Sequence, residues 1–239
     1  ISNFYMKSDS YYKNAIIDSI NSTFENNYAK TKSTDSSKGA YGGAISNTAT
    51  IKAINNSVFK NNYAISDGGS KASGGAIYTR QDLTINANNS GLTEFTGNYV
   101  STDGGATKNY EAINVGASGK TLTLNATTNG TILLNDYING VSGYNVLLTG
   151  DSTGTIKLFD KADIKGGANV TVGGNVLVDM ADGKIQNFSE FNSLNSSASA
   201  KYNIDLDLSK VNGSKLDYAI GDKVADGFST QTSSSGSIT

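Results

Sequence analysis

Two short motifs alternate along the first half of the chain and constrain its fold more than any other feature. The first is Gly-Gly-Ala-Ile, which occurs at 42–45 and again at 74–77. The second is Phe-x-x-Asn, which begins at Phe24, Phe59 and Phe95, so that its copies are almost evenly spaced. A fixed period of roughly 20–50 residues is typical of units that stack on one another. The chain is therefore predicted to be a solenoid.

Each unit is too small to bury its own apolar face. Apolar residues fall near alternate positions at 50–55 and 83–87, which is the period of a β-strand, and turn-forming residues flank both segments. Stacking would place isoleucine over isoleucine and phenylalanine over phenylalanine in a continuous core. The motif residues expected to hold this stack are Gly42, Gly43, Ala44, Ile45, Gly74, Gly75, Ala76, Ile77, Phe24, Asn27, Phe59, Asn62, Phe95 and Asn98.

The residue types of the motifs fit corners between strands. Glycine adopts positive φ without a steric penalty from Cβ, so the glycine pair suits a tight corner that enters a strand. Asparagine tolerates the left-handed region and bonds its own backbone, so we place the motif asparagine in the next turn. Stacked asparagines can also form amide ladders between coils.

The spacing of the motifs predicts the length of a coil. Motifs of the two kinds begin in turn at Phe24, Gly42, Phe59 and Gly74, at similar intervals. One motif per coil would give a coil of about 20 residues. At roughly 20–25 residues per coil, the chain of 239 residues would form roughly ten coils.

These motifs resemble the GGA(I/L/V) and FxxN repeats of chlamydial polymorphic outer-membrane proteins and related autotransporter passengers. The resemblance covers Phe24 to Asn98 and extends weakly to 104–107, where Thr107 stands in the place of the isoleucine. In the third FxxN, Gly97 replaces an asparagine. The resemblance implies a right-handed parallel β-helix on the outside of a bacterial cell, usually with an adhesive role.

Strand patterns continue after the motifs fade near Ala112. Alternating apolar residues between turn formers occur at 121–125, 131–135, 144–148, 155–159, 175–179 and 202–208. A meander of antiparallel hairpins could produce the same spacing, but no domain boundary interrupts the chain, and we favour parallel coils. No helix of any length is expected.

We interpret 1–239 as a single β-helix that is a fragment of a longer passenger. Its predicted parts are an irregular first coil or cap, the motif-bearing coils, degenerate coils and a polar tail. These parts span 1–22, 23–107, 108–228 and 229–239.

The composition excludes several classes of protein. The chain has no Cys, Pro, His or Trp, so it has no disulfide framework and no thiolate chemistry. Nineteen basic and 21 acidic residues give a formal charge of −2, which argues against a surface that follows nucleic-acid phosphates. Apolar residues make up 37%, but they are spaced as in strands, which favours a folded rod over disorder. No run reaches the ~20 apolar residues of a membrane span, so we expect no membrane insertion.

The residue types also limit the chemistry. Without histidine and cysteine, Ser–His and Cys–His pairs and the common zinc sites are impossible. Asp205 and Asp207 alternate on one predicted strand, roughly 7 Å apart, but they lack aromatic neighbours and are interpreted as solvated side chains. Asp-Gly pairs at 67–68, 103–104 and 182–183 are interpreted as turns rather than calcium sites. We predict no catalytic residue, no metal and no cofactor.

Two kinds of segment are candidates for partner contacts. Lys30–Lys38 and Ile65–Ser73 are polar insertions between motifs, and such insertions usually project as loops from one face of a solenoid. Tyr5, Tyr11 and Tyr12 could form an aromatic patch, although a cap over the open end is the simpler interpretation.

These observations favour a structural and adhesive rod at the bacterial cell surface or outside the cell. Its expected partners are a protein or glycan of a host or sister cell, with self-association as a further mode, and no nucleic acid. The alternative is a carbohydrate-active β-helix, such as a polysaccharide lyase, a hydrolase or a tailspike-like domain. That alternative requires a groove lined by acids and aromatic residues.

Overall fold

The computed structural model describes residues 1–3, 5–8, 11–174, 176–179, 184–185, 190–193, 202–203 and 215–217. Within these residues all regular secondary structure is β-strand, which confirms the all-β prediction. The same residues include no helix that is long and apolar enough to cross a membrane.

The strands are numbered in chain order. Those of the first half are β1 (Ser2–Asn3), β2 (Tyr5–Ser8), β3 (Tyr11–Asn14), β4 (Ile16–Ile17), β5 (Thr23–Glu25), β6 (Tyr28–Thr31), β7 (Gly39–Tyr41), β8 (Ile45–Asn47), β9 (Thr50–Ile51), β10 (Ile54–Asn55), β11 (Val58–Lys60), β12 (Tyr63–Ser66), β13 (Lys71–Ser73), β14 (Ile77–Thr79), β15 (Leu83–Ala87), β16 (Leu92–Thr96), β17 (Tyr99–Ser101) and β18 (Glu111–Val115). Those of the second half are β19 (Thr121–Ala126), β20 (Thr131–Leu134), β21 (Tyr137–Gly140), β22 (Asn145–Gly150), β23 (Thr155–Leu158), β24 (Asp163–Ile164), β25 (Asn169–Val172), β26 (Leu177–Asp179), β27 (Lys184–Ile185), β28 (Glu190–Ser193), β29 (Tyr202–Asn203) and β30 (Lys215–Asp217).

Three parallel sheets form the walls of the rod, and each contains seven of the described strands. Their strand orders are β1-β8-β14-β18-β21-β24-β27, β10-β15-β19-β22-β25-β28-β30 and β5-β11-β16-β20-β23-β26-β29. The chain visits each wall in turn, for example at β14, β15 and β16, and then returns to the first wall at β18. Neighbours in a wall are parallel and one coil apart in sequence, which is a parallel β-helix, as predicted.

The registers show that each motif stacks on its own kind. Ile45 pairs with Ile77, and Phe24 pairs with Phe59, so one coil holds one copy of each motif. The predicted coil of about 20 residues with a single motif is therefore wrong in this region. Stacked side chains of successive coils are instead 32 residues apart at Asn47 and Thr79, and 36 residues apart at Asn62 and Asn98. A motif of one kind and the next motif of the other kind mark two corners of the same coil.

The coils become shorter after β18. Successive partners in the first wall are Ile113, Ile138, Ile164 and Ile185. In the second wall Asn145 and Asn169, which stack in successive coils, are only 24 residues apart. The described residues therefore supply seven coils, whereas the uniform short coil predicted roughly ten for the whole chain.

The described strands of the second half form coils rather than hairpins. Strand β19 pairs with β22, and β20 pairs with β23, and both pairs are parallel. These pairings confirm the preference for parallel coils over an antiparallel meander.

Like side chains stack through the core. The rings of Phe24 and Phe59 lie 4.9 Å apart between centroids, and those of Phe59 and Phe95 lie 4.7 Å apart, with nearly parallel planes. Leu134 and Leu158 continue this column in the next two coils. Phe59 and Phe95 are fully buried, and the predicted stacking of the phenylalanines is confirmed.

The first coil contains one antiparallel pair that the patterns did not reveal. Strands β2 and β3 form a hairpin with Tyr5 opposite Asn14. This hairpin carries Tyr5, Tyr11 and Tyr12. The acidic candidates at the far end, Asp205 and Asp207, lie outside the described residues.

Candidate functional site: a tyrosine-lined lobe

The Phe-x-x-Asn motif turns the chain out of the third wall. Its third residue has positive φ in every copy, with 57° at Asn26, 54° at Asn61 and 71° at Gly97. Asparagine and glycine are the two residue types that adopt this conformation most readily, which explains the exchange at Gly97. The left-handed residue therefore precedes the motif asparagine, which itself lies in the turn after the strand, as predicted.

The motif asparagine instead forms a ladder between coils. Asn27 donates from Nδ2 to Oδ1 of Asn62 over 3.0 Å, and Asn62 donates in the same way to Asn98 over 2.9 Å. Each of these Oδ1 atoms also accepts the backbone N–H of the asparagine in the preceding coil. Asn62 and Asn98 are fully buried, whereas Asn27 is exposed at the end of the ladder. The predicted amide ladder is confirmed.

Asp136 ends the ladder on the C-terminal side. One carboxylate oxygen accepts both Nδ2 and the backbone N–H of Asn98 at 2.8 Å, and the other accepts the N–H of Gly97 at 3.0 Å. A carboxylate has no N–H to donate to a following coil, so the ladder stops here. Burial raises the pKa of Asp136 to about 6, while the hydrogen bonds from Asn98 and Gly97 act in the opposite direction.

The glycine pair turns the chain back into the first wall. Gly42 and Gly74 have φ of 64° and 66°, as expected for the first glycine of the corner. The second glycine lies against backbone: a Cβ on Gly43 would be 2.6 Å from the nitrogen of Tyr63, and one on Gly75 would be 2.4 Å from that of Tyr99. The first glycine thus provides the conformation, and the second provides the space.

The third copy of this corner does not lie where the sequence pattern placed it. Ile77 pairs with Ile113, and Ala76 donates its N–H to the carbonyl of Ala112, so the segment 110–113 takes the third position. Gly104 and Gly105 are instead in a turn, with φ of 76° and 105°. The prediction that 104–107 is a third Gly-Gly-Ala copy is therefore wrong. Gly104 and Gly105 provide positive φ in a different turn, which has a similar sequence but does not stack on the Gly-Gly corners.

Glu111 replaces the second glycine in the third coil, and its carboxylate is buried. It accepts the N–H of Gly74 at 2.6 Å and the side-chain amides of Asn114 and Asn139 at 3.1 and 2.9 Å. Burial raises the pKa of Glu111, and these hydrogen bonds lower it. Neither Glu111 nor Asp136 was singled out from the sequence, since an isolated acidic residue gives no repeating signal.

The first three coils bulge outward as a small lobe between the two corners. We define the lobe as residues 28–41, 63–73 and 99–109. Its outgoing strands β6, β12 and β17 form a parallel sheet, and its returning strands β7 and β13 form another. The small core between them consists of Ala29, Ala40, Ala64, Ala72 and Val100. These short side chains let the two sheets lie close together.

The polar insertions Lys30–Lys38 and Ile65–Ser73 both lie in this lobe. The first residues of both insertions lie in strands that stack on each other, with Lys30 opposite Ile65. The last residues of the second insertion form β13, which stacks on β7, the strand that begins directly after the first insertion. The prediction of loops is therefore wrong for the first residues of both insertions and for the last residues of the second, and the residues between these strands connect them without regular structure. Stacking gives the lobe the same period as the rod.

A column of tyrosines lines the outer face of the lobe. The rings of Tyr28 and Tyr63 are stacked at 5.3 Å, and those of Tyr63 and Tyr99 at 5.2 Å. Tyr28 is 63% exposed, and the other two are half-buried. Lys108 lies over the ring of Tyr99, with its Nζ 4.7 Å from the centroid. We call Tyr28, Tyr63 and Tyr99 the tyrosine column. Their recurrence with the period of the Phe-x-x-Asn motif was the signal that could have found it.

The Asp-Gly turn at 103–104, at the edge of the lobe, is held by hydrogen bonds within the protein. Asp103 accepts the hydroxyl of Ser101 at 2.6 Å and the N–H of Thr107 at 2.9 Å, and these bonds hold its pKa well below the usual range. The part of the chain that the structure describes contains no group of acidic residues arranged to hold a metal ion.

Comparison with known protein families identifies one segment. Residues 21–48 match the family model of the Chlamydia polymorphic membrane protein repeat. The matched segment runs through β5, β6, β7 and β8, so it includes both corners and the lobe strands of one coil. The predicted resemblance is confirmed for this repeat. No curated protein and no solved structure gives a significant match to the chain.

Proposed function

We propose that this chain is the rod of a bacterial surface-exposed autotransporter passenger and that its lobe makes adhesive contacts. The observation that carries the proposal is the tyrosine column on the outer face of a stacked scaffold. Its first member, Tyr28, lies in the segment that matches a repeat of a bacterial membrane-protein family. Tyrosine is enriched at protein interfaces because it combines a large apolar ring with a polar tip. A rigid rod would present these rings at fixed intervals.

The partner in this proposal is a protein or glycan on a host or sister cell, and the location is the bacterial surface or the surrounding medium. The proposal gives the chain no catalytic step. The two buried carboxylates described above accept hydrogen bonds from the backbone and from amides, and these bonds fix the corners of the lobe.

The test is binding of beads coated with the chain to host cells and to sister bacteria. We expect the coated beads to bind, and we expect replacement of Tyr28, Tyr63 and Tyr99 by serine to reduce binding about tenfold or more. Tyr78→Ser is the control for loss of a tyrosine, because Tyr78 is a half-buried tyrosine of the first wall whose ring packs on Tyr41 rather than on the column. Beads that bind no better than uncoated ones would contradict adhesion. An equal loss of bead binding in Tyr78→Ser would show that the tyrosine column is not the binding surface.

A further inference from the structure

The tyrosine column has an internal symmetry that bears on its partner. The two ring spacings are 5.3 and 5.2 Å, and the interplanar angles are 8° and 16°. Tyr63 is therefore the midpoint of an evenly spaced row of three. For two identical rows that face each other, a two-fold axis between them, perpendicular to the rows and level with Tyr63, would place Tyr28 of one row opposite Tyr99 of the other.

The chemistry of the column is also self-complementary. A phenol hydroxyl both donates and accepts hydrogen bonds, so a row of tyrosines can pair with an identical row. A row of lysines or aspartates would repel its copy. The faces of Tyr63 are covered by its two neighbours, so Tyr63 offers its ring edge and hydroxyl to a partner. Lys108 lies over the ring of Tyr99 and gives that end of the row a positive charge. A parallel contact would bring the two Lys108 side chains to the same end, whereas an antiparallel contact separates them. Contact between identical patches is the usual basis of a two-fold dimer.

The period of the row further restricts the partner. Its spacing is that of successive strands in a sheet, so a partner that matches all three positions must repeat at the same interval. A second copy of this chain has the same interval between its tyrosines. A contact of only three tyrosines per copy would be small and weak, but many copies on one surface would add up to strong attachment.

From these observations we infer that the lobe binds a second copy of this chain in an antiparallel contact, with the two Tyr63 side chains facing each other across the two-fold axis. Tyr28 of each copy then faces Tyr99 of the partner copy. This inference rests on the proposed adhesive function and names its partner. It also specifies an orientation, which a general tendency to aggregate would not.

Cysteine cross-linking tests the contact, because the chain has no cysteine of its own. Single variants Tyr63→Cys, Tyr28→Cys and Tyr99→Cys of the full chain are each treated with a short bismaleimide. A linker is needed because two tyrosine-length side chains would hold the backbones too far apart for a direct disulfide. Ser152→Cys is the control, since Ser152 is exposed in the turn between the second and third walls.

We expect Tyr63→Cys to give linked dimers about tenfold faster than Ser152→Cys. Tyr28→Cys and Tyr99→Cys alone should link slowly, but an equal mixture of the two should link as fast as Tyr63→Cys. Fast self-linking of both end variants would instead indicate a parallel contact and would overturn the inference. Linking of Tyr63→Cys no faster than the control would also overturn it.

Sedimentation of the unmodified chain separates this inference from the proposed function. We expect a dimer that forms with increasing concentration and that Tyr63→Ser abolishes, while the urea midpoint of the variant stays near that of the parent. Adhesion of coated beads to host cells without any dimer would leave the proposed function standing and refute the inference. A dimer without adhesion to any cell would support the inferred contact and refute the proposed adhesive function.

Discussion

Single asparagines determine how successive coils of this rod join. The Nδ2 of Asn62 donates to Oδ1 of Asn98 and to the carbonyl of Phe24, and its Oδ1 accepts two N–H groups of Asn27. An amide is suited to this position because it both donates and accepts. A side chain that only accepts has one place in the ladder, at the C-terminal end, and Asp136 occupies it.

Asn62→Asp tests this account. The new carboxylate would be buried and would face Oδ1 of Asn98 without a proton to share, so we expect a loss of roughly 2–4 kcal/mol in the free energy of unfolding. Asn27→Asp is the matched control at the exposed end, where water can solvate the charge, and it should cost about 1 kcal/mol or less. Urea unfolding of both variants measures the difference. Equal losses of unfolding free energy in the two variants would show that the buried part of the ladder stabilises the fold no more than its exposed end does.

The strands and corners were predictable to different extents. Alternation identified the strands at 121–126 and 131–134, because these strands have one buried and one outward face. It missed the lobe strands β7 and β13, since their core is alanine and their residues read as polar loop. The candidate site was therefore predicted as two loops with no contact residue named. The recurrence of tyrosine after each Phe-x-x-Asn motif could have named the column, but the stacking of its rings follows only from the register between coils.

Gly75→Ala tests how the Gly-Gly corner holds the lobe against the rod. A Cβ on Gly75 would lie 2.4 Å from the backbone nitrogen of Tyr99 and 2.6 Å from the carbonyl oxygen of Glu111, and neither atom can move freely. We expect a loss of roughly 2–4 kcal/mol and faster hydrogen exchange at 99–101. Gly69→Ala is the control: Gly69 has φ of 76° but no atom within 4 Å of a Cβ, so about 1 kcal/mol of conformational strain should be its whole effect. A control as destabilised as Gly75→Ala would mean that crowding against Tyr99 is not the cause.

The whole molecule changes its cross-section where the lobe ends. Stacked asparagines of successive coils are 36 residues apart at Asn62 and Asn98 but 24 residues apart at Asn145 and Asn169. Two buried carboxylates lie at this boundary, one below each corner: Asp136 at the Phe-x-x-Asn corner and Glu111 at the Gly-Gly corner. These carboxylates accept the backbone N–H groups of Asn98 and Gly74, which would otherwise need an acceptor from a further coil with a lobe. The sequence spacing predicted one coil length throughout because it could not show which motif stacks on which.

The boundary carboxylates should make the stability of the rod depend on pH. Burial raises the pKa of Asp136 from 3.8 to about 6, and it raises that of Glu111 as well. A carboxyl group whose pKa is higher in the folded chain binds more protons there, so its contribution to stability is complete below the unfolded pKa and is lost as the pH rises through about 6. We therefore expect a higher urea midpoint near pH 5 than near pH 7.5.

Comparison of two substitutions over this pH range assigns the effect to the boundary. Asp136→Asn removes the titrating group, so the difference between the urea midpoints near pH 5 and near pH 7.5 should shrink even if the variant is less stable at both. Asp18→Asn is the control, because Asp18 is an exposed carboxylate paired with Lys52 and far from the lobe boundary in sequence. It should leave the difference unchanged. If Asp136→Asn kept the full difference, the boundary carboxylate of the Phe-x-x-Asn corner would not be the group that links protons to the stability of the rod.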